Sequence, residues 1–162
     1  MVKHLEGKLF AIDSRIALVV SRFNEYLTHH MQETAQATYE RLGGNPQSLT
    51  IAHVPGSLEL AVTAKRLAQT NRYDAIVCLG CVIRGETDHY DHVAEQTARG
   101  IREVGTQTGV PCIFGVVTAD TLEQALNRVG VKSGNQGATA MIAGIEMANL
   151  IKKVEAPRHE TT

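Results

Sequence analysis

One stretch of the chain, CVIRGETDHYDHVAE at 81–95, gathers an arginine, two histidines and four carboxylates. It follows directly on the apolar run YDAIVCLG at 73–80. A buried strand that opens into Gly, Thr, Asp and His and then continues as an amphipathic helix is a common way to build a reaction site. The stretch therefore predicts a site at a junction between a strand and a helix.

Within this stretch, the residues from Gly85 to His89 suit the binding of an anion and the transfer of protons. Gly85 permits close approach of the backbone, and the amides of Glu86 and Thr87 can donate to a phosphate just before a helix. The Glu86 side chain should then point away from that phosphate. His89 lies at the start of the predicted helix, and an imidazole exchanges protons near neutral pH. The sequence contains neither a Walker loop nor a dinucleotide fingerprint.

A metal site is the main alternative for the same stretch. Its candidate ligands are Asp88, His89, Asp91 and His92. Histidines at i and i+3 can share one face of a helix, but the two aspartates equally suit the positive end of a helix dipole. The other candidates are His29, His30 and His53, which show no metal-ligand spacing. We therefore predict no metal.

Four apolar segments rich in β-branched residues predict the strands that would position this site. They are RIALVVS at 15–21, TIAHV at 50–54, AIVCLG at 75–80 and VPCIFGVV at 110–117. Near-continuous apolar runs are typical of a parallel sheet covered on both faces. Helical stripes lie between and after them, beginning near Leu27, Leu60, Val93, Leu122 and Met141. This order predicts an α/β fold, a three-layer α/β/α sandwich with a four-stranded parallel sheet of the flavodoxin-like type.

The length and charge of the chain predict one domain that binds neither nucleic acid nor membrane. We expect residues 1–162 to form that domain, with a polar tail at 155–162. Lys plus Arg is 16 and Asp plus Glu is 17, so the net charge of −1 attracts no polyanion. No run reaches the roughly 18 apolar residues of a membrane span, and MVKHLEGKLF lacks the apolar core of a secretory signal. A cytoplasmic location is expected.

The three cysteines are predicted to be reduced packing thiols. Cys78, Cys81 and Cys112 are an odd number and lie inside or next to apolar runs. Cys78 and Cys81 do spell C-x-x-C. The spacing, however, places Cys78 within a strand rather than at a helix start, where a redox thiolate would be stabilised.

Three further loops should share the edge of the sheet with the first stretch. They are SRFNE at 21–25, VPGSLE at 54–59 and TADT at 118–121, and each follows a predicted strand. Phe23 could stack on a flat heterocycle, which would gain about 1–3 kcal/mol, or it could cover the local core or an oligomer contact. Asn24 suits polyol hydroxyls or ring amides, or else an Asx-turn.

The loop VPGSLE has two interpretations. Ser57 is a natural N-cap, and the negative charge of Glu59 would interact favourably with the dipole of the following helix. Alternatively, Glu59 could accept hydrogen bonds from the hydroxyls of a ligand. The sequence leaves both interpretations open.

Together these motifs resemble those of the lumazine synthases. The matching segments, in the family's order and spacing, are SRFNE, VPGSLE, VIRGETDHYDHVA, IFGVVTADTLEQALNR, SGNQG and GIEMANL, and the likeness covers residues 5–153. The family condenses 5-amino-6-(D-ribitylamino)uracil with 3,4-dihydroxy-2-butanone 4-phosphate. The products are 6,7-dimethyl-8-ribityllumazine, phosphate and water. This is the penultimate step of riboflavin biosynthesis, and it uses no metal or organic cofactor.

The resemblance implies a role for each site position. His89 would be the catalytic residue that transfers protons. Phosphate would be bound by Glu86, Thr87 and Arg128. The pyrimidine and the ribityl chain would be bound by Phe23, Asn24, Ser57, Leu58, Glu59, Val82, Ile83 and Phe114.

The resemblance also implies an assembly. In the family the site lies between adjacent subunits of a pentamer, so that Phe114 and Arg128 would come from a neighbour. The N-terminal arm at 1–10, with KLFAI at 8–12, would add an edge strand to a neighbouring sheet. The short connector at 129–137 is similar to that of members whose pentamers form a 60-subunit shell, for which riboflavin synthase is a candidate partner.

Two positions depart from the family pattern. Gln136 stands where the family often has Lys, which removes one cation near the site, while Lys132 is kept. Ala61 replaces a Pro suited to a first helical turn, with a small expected effect on stability. The alternative function is a non-catalytic carrier of flavin or lumazine, or a shell scaffold, on the same fold.

Overall fold

The computed structural model describes residues 1–130 and 134–157. Lys132 and most of the polar tail therefore lie outside the described residues. The described part forms four strands, β1 Ile16–Ser21, β2 Leu49–Val54, β3 Ala75–Ile83 and β4 Cys112–Ala119. It also forms five α-helices, α1 Glu25–Arg41, α2 Leu60–Gln69, α3 His89–Thr108, α4 Leu122–Arg128 and α5 Gln136–Glu155. Single 3-10 turns at Pro46–Ser48 and Ser57–Glu59 precede β2 and α2.

The sheet is parallel throughout, with the strand order β2-β1-β3-β4. The chain moves outward in one direction from β1 to β2, and in the other direction from β3 to β4. The strand order thus reverses between β1 and β3, and ligands of open α/β sheets bind outside the carboxyl ends of the strands at such a point. The predicted α/β fold is confirmed.

The sheet is covered on both faces, which gives three layers. On one face, α1 and α5 bury Leu18, Val77 and Leu79 of the central strands. On the other face, α2 and α3 bury Val19 and Ile76. Because side chains of a strand alternate between faces, the continuous apolar runs of β1 and β3 supply both cores.

The third strand is longer than its apolar run suggested. It was expected to end at Gly80, but residues 81–83 continue the strand because β4 pairs with them, from Cys81 opposite Val117 to Ile83 opposite Ala119. On the other side, β1 pairs with β3 only as far as Leu79. The end of β3 therefore extends past β1 with one backbone edge facing the site.

The N-terminal arm lies along α5 of its own chain. Asn149 Nδ2 donates to the carbonyl oxygens of Lys8 at 2.6 Å and Phe10 at 2.8 Å, and Lys153 Nζ donates to that of Glu6 at 2.6 Å. Residues 1–10 form no helix or strand here. Addition of the arm to a neighbouring sheet stays a prediction.

Candidate active site

Three of the four predicted loops meet in a cleft of about 320 Å³ at the carboxyl edge of the sheet. The loops follow β1, β2 and β3, whereas the TADT loop after β4 does not line the cleft. The lining residues are Phe23, Gly56, Ser57, Leu58, Glu59, Cys81, Val82, Ile83, Gly85, Thr87, His89, Tyr90 and Val93. The cleft therefore brings together, within one chain, eight of the residues to which the family resemblance assigns a role.

Phe23 is presented to the cleft by a firmly held loop. The amide of Arg22 donates to Val54 O at 2.8 Å, and that of Phe23 donates to Pro55 O at 3.1 Å, so the loop is anchored to the exit of β2. The Phe23 ring is 69% exposed. A rigid backbone under an exposed ring is suited to stacking.

Asn24 ties two strands together beneath the cleft and does not line it. Its backbone is left-handed, with φ 61° and ψ 45°, which asparagine tolerates better than most residues. Its Nδ2 donates to Cys81 O at 2.9 Å, which links the exit of β1 to β3. The side chain therefore does not form the Asx-turn that the sequence left open, and its contact with substrate stays a prediction.

The loop before α2 is held by its backbone. Within the described residues no side-chain hydrogen bond caps this helix or the preceding turn, so the prediction that Ser57 is an N-cap is wrong. The reason is the 3-10 turn, in which the amides of Glu59 and Leu60 donate to Gly56 O and Ser57 O. Ser57 is instead buried under the cleft. Its Oγ lies 2.9 Å from the point where a Cβ on Gly80 would stand.

The loop from Gly85 to Asp88 leads into α3 with few internal contacts. A Cβ built at Gly85 meets no atom within 4 Å. Asp88 stands at the N-cap position but makes no capping hydrogen bond through its side chain, and the amide of His89 donates to Thr87 Oγ1 at 3.4 Å. The Asp88 side chain therefore leaves the first amides of α3 without a cap, and uncapped amides at a helix start can bind an anion. Glu86 does not line the cleft.

Phe114 and Arg128 lie outside the cleft of their own chain. Phe114 is on the edge strand β4, and its side chain is partly exposed on the face covered by α3. Arg128 ends α4, and its Nη1 donates to Thr118 O at 3.4 Å. The contact of these two residues with a substrate stays a prediction.

The 6,7-dimethyl-8-ribityllumazine synthase family model matches residues 13–152. That span contains the four strands and every predicted site residue. The chain belongs to the 6,7-dimethyl-8-ribityllumazine synthase family. The resemblance of the motifs is therefore confirmed, and the chain belongs to a transferase family of riboflavin biosynthesis.

The described lining of the cleft in this family member carries no basic Arg or Lys side chain. Among the described residues that line it, the side chains that can titrate are Glu59, Cys81, His89 and Tyr90. Burial raises the pKa of Cys81 to about 11, so its thiol stays protonated at neutral pH. A cation for an anionic substrate has to come from beyond these residues.

The cysteines of this family member do not form a redox pair. Cys78 and Cys81 are three residues apart on a strand, so their side chains lie on opposite faces of the sheet. Cys78 instead meets Cys112, with the two Sγ atoms 3.9 Å apart, and both are free thiols. This contact, together with burial, raises the pKa of Cys78 well above its usual range. The prediction of packing thiols is confirmed.

The alternative metal site receives no geometric support. Among residues 1–130 and 134–157, no three His, Cys, Asp or Glu side chains converge in a way that could hold a metal ion. Asp91 is paired with Arg84 at 3.3 Å.

No helix of the described part is long and apolar enough to cross a membrane.

Four lining residues, Gly56, Cys81, Tyr90 and Val93, were not predicted as part of the site. Val93 was placed only in the buried stripe of α3, although it lies one turn after His89 and so shares its face. Tyr90 is one of the seven aromatic residues and directly follows His89. The helical spacing from His89 was the signal that could have identified Val93.

Proposed function

We propose that this chain condenses 5-amino-6-(D-ribitylamino)uracil with 3,4-dihydroxy-2-butanone 4-phosphate to give 6,7-dimethyl-8-ribityllumazine. The observation that carries the proposal is the composition of the cleft. It combines His89 with seven of the binding residues that the family resemblance assigns: Phe23, Ser57, Leu58, Glu59, Val82, Ile83 and Thr87. We expect the reaction to need no metal or organic cofactor.

The pyrimidine would lie between Phe23 and the end of β3. The exposed Phe23 ring offers the stacking surface, worth about 1–3 kcal/mol for a heterocycle. Because β1 pairs with β3 only as far as Leu79, the backbone of Val82 and Ile83 has a free edge that can hydrogen-bond to the ring. Ser57 and Glu59, which line the cleft, would accept hydrogen bonds from the ribityl hydroxyls.

The phosphate would bind at the start of α3. Open space at Gly85 leaves room for an anion, and Thr87 lines the same part of the cleft. The helix is 20 residues long, and the side chain of Asp88 at its N-cap position makes no bond to its first amides. The N-terminal end of such a helix favours negative charge.

His89 would transfer the protons that the reaction requires. Formation of a Schiff base, loss of phosphate and ring closure each move protons, and His89 is the one histidine that lines the described cleft. A positioned acid or base contributes about 10²–10⁴-fold. Holding two substrates together can contribute more, because it removes the entropy cost of their encounter.

The need for a counter-charge at the phosphate site supports an assembly in which neighbouring subunits share each cleft. A single chain brings no described Arg or Lys into the cleft, and a phosphate dianion needs a counter-charge. We therefore propose that Arg128 and Phe114 of a neighbouring subunit close the site in a homopentamer, with the arm at 1–10 adding a strand to a neighbouring sheet. Such pentamers would assemble further into a 60-subunit shell around riboflavin synthase. The chain would work as one domain in the cytoplasm.

Steady-state kinetics of a His89→Ala variant test the role of the imidazole. We expect kcat to fall by about 10²-fold or more without reaching zero, because proximity of the substrates is retained. His92→Ala is the matched control, since His92 lies on the same helix and does not line the cleft. Equal kcat values for His89→Ala, His92→Ala and the unaltered chain would contradict the assignment.

A further inference from the structure

Arg84 joins three elements at the edge of the cleft. It is the first residue after β3, and its Nε donates to Asp120 Oδ1 at 2.9 Å, beyond the end of β4. Its Nη2 donates to Asp91 Oδ1 at 3.3 Å, and its guanidinium carbon lies 4.5 Å from the centre of the Tyr90 ring. The same side chain therefore contacts two consecutive residues of the first turn of α3.

That turn makes few other side-chain hydrogen bonds. Asp88 makes no capping bond through its side chain, and the hydrogen bond from the amide of His89 to Thr87 Oγ1 is long, at 3.4 Å. The Cβ position at Gly85 meets no atom within 4 Å. Tyr90 and Val93 pack against the core, and among the described residues Arg84 adds the side-chain hydrogen bonds that join the first turn of α3 to the loop after β4.

Asp120 is a firm anchor for this link. Its amide donates to Gln124 Oε1 at 2.9 Å, and the amide of Gln124 donates to Thr121 Oγ1 at 3.2 Å. Arginine suits the position because its planar group can hold two carboxylates and lie over an aromatic ring at once. Each exposed ion pair adds little to stability, so removal of Arg84 should alter position more than folding.

We propose that Arg84 is a positioning residue that fixes the first turn of α3, and with it the His89 imidazole, relative to the bound substrates. This inference rests on the proposed function. Arg84 does not line the cleft and acts through Tyr90 and Asp91. A displacement of about 1 Å at a reacting group can cost about 10²-fold in rate. Phe23 and Ser57 are held by other contacts, so the KM for the ribitylaminouracil should not change.

Substitution of Arg84 by Gln is the first arm of the test. Arg99→Gln is the matched control, because Arg99 lies on α3, pairs with Glu103 at 3.1 Å and loses the same charge. We expect kcat to fall about tenfold in Arg84→Gln and to stay unchanged in Arg99→Gln, with similar small changes in Tm. Arg84→Lys should restore only part of kcat, since an ammonium cannot hold both carboxylates and the ring.

A double-mutant cycle with His89→Ala separates positioning from a general loss of structure. In the His89→Ala background, Arg84→Gln should lower kcat by less than about twofold, because it acts through the missing imidazole. An equal fall in both backgrounds, or no fall in the unaltered background, would overturn the proposal.

Hydrogen exchange tests the role of Arg84 in a way that does not depend on the proposed reaction. We expect faster exchange in Arg84→Gln at the amides of residues 92–95, whose hydrogen bonds close the first turn of α3, and no such change in Arg99→Gln. An inactive unaltered chain would refute the proposed function, while this local change would still support the positioning of the turn. Unchanged exchange at residues 92–95 would overturn the role of Arg84.

Discussion

At the scale of single residues, Asn24 shows how one side chain can serve the backbone of a site. Its left-handed backbone, φ 61°, turns the chain from β1 into α1, and its amide reaches Cys81 O at 2.9 Å. The sequence predicted a residue that was either a ligand contact or a turn former. It could not show the bond to Cys81, because the partner is 57 residues away.

Asn24→Ala should lower the free energy of unfolding by about 2 kcal/mol, roughly half from the lost hydrogen bond and half from the left-handed backbone. Asn71→Ala is the control. Asn71 has a similar φ of 57°, and its side chain makes no hydrogen bond to the described residues, so about 1 kcal/mol is expected. Urea unfolding of both variants measures the difference. Equal losses in the two would mean that the bond to Cys81 adds no stability.

At the scale of elements, the order of strands and helices could be predicted from the sequence, because buried parallel strands and amphipathic helices have distinct patterns. The end of β3 could not, since residues 81–83 stay in the sheet only through pairing with β4, which lies more than 30 residues later. The prediction that Ser57 is an N-cap was wrong for a similar reason. A 3-10 turn satisfied the amides that the side chain was expected to bind.

The packing of elements also depends on Asp74, which precedes β3. Its carboxylate accepts from the amide of Arg15 at 2.7 Å and lies 3.5 Å from Lys152 Nζ, so it joins the starts of β1 and β3 to the end of α5. Burial tends to raise the pKa of Asp74, but the hydrogen bonds from Arg15 and the charge of Lys152 outweigh it and leave the pKa below its ordinary value of 3.8.

A depressed pKa means that Asp74 stabilises the folded chain above pH 3.8 and that this contribution is lost as the pH falls through the lower folded value. Asp74→Asn should therefore reduce the free energy of unfolding at pH 7 by about 1–3 kcal/mol, the range for hydrogen bonds to charged groups. The loss should shrink below pH 4. Unfolding curves from pH 7 to pH 2.5 test this, with Asp13→Asn as the exposed control. A loss that is the same at every pH would contradict the charge-based account.

At the scale of the whole molecule, the surface of one chain carries several large apolar side chains. These exposed side chains include Phe10, Phe23, Leu58, Val62 and Phe114. Exposed apolar residues in such numbers are typical of surfaces that meet another chain. Sequence patterns alone could not show whether another chain covers these side chains, because periodicity reports only which residues are buried within a chain.

Mixing two defective variants tests whether neighbouring subunits share a cleft. We expect Arg128→Ala alone to raise the KM for the butanone phosphate, since a charged hydrogen bond to the phosphate is lost. If each site takes His89 from one subunit and Arg128 from the next, chains of His89→Ala and Arg128→Ala that are refolded together should regain about a quarter of the unaltered activity. Activity equal to the mean of the two separate variants would mean that each chain builds its site alone.

The most direct test of the central claim is to follow lumazine formation and phosphate release together after the purified chain is mixed with both substrates. We predict that both products form in equal amounts, well above the rate without protein, and that His89→Ala slows both alike. Binding of the ribitylaminouracil with product formation no faster than in the protein-free control would contradict the account. That result would make the chain a carrier or a scaffold.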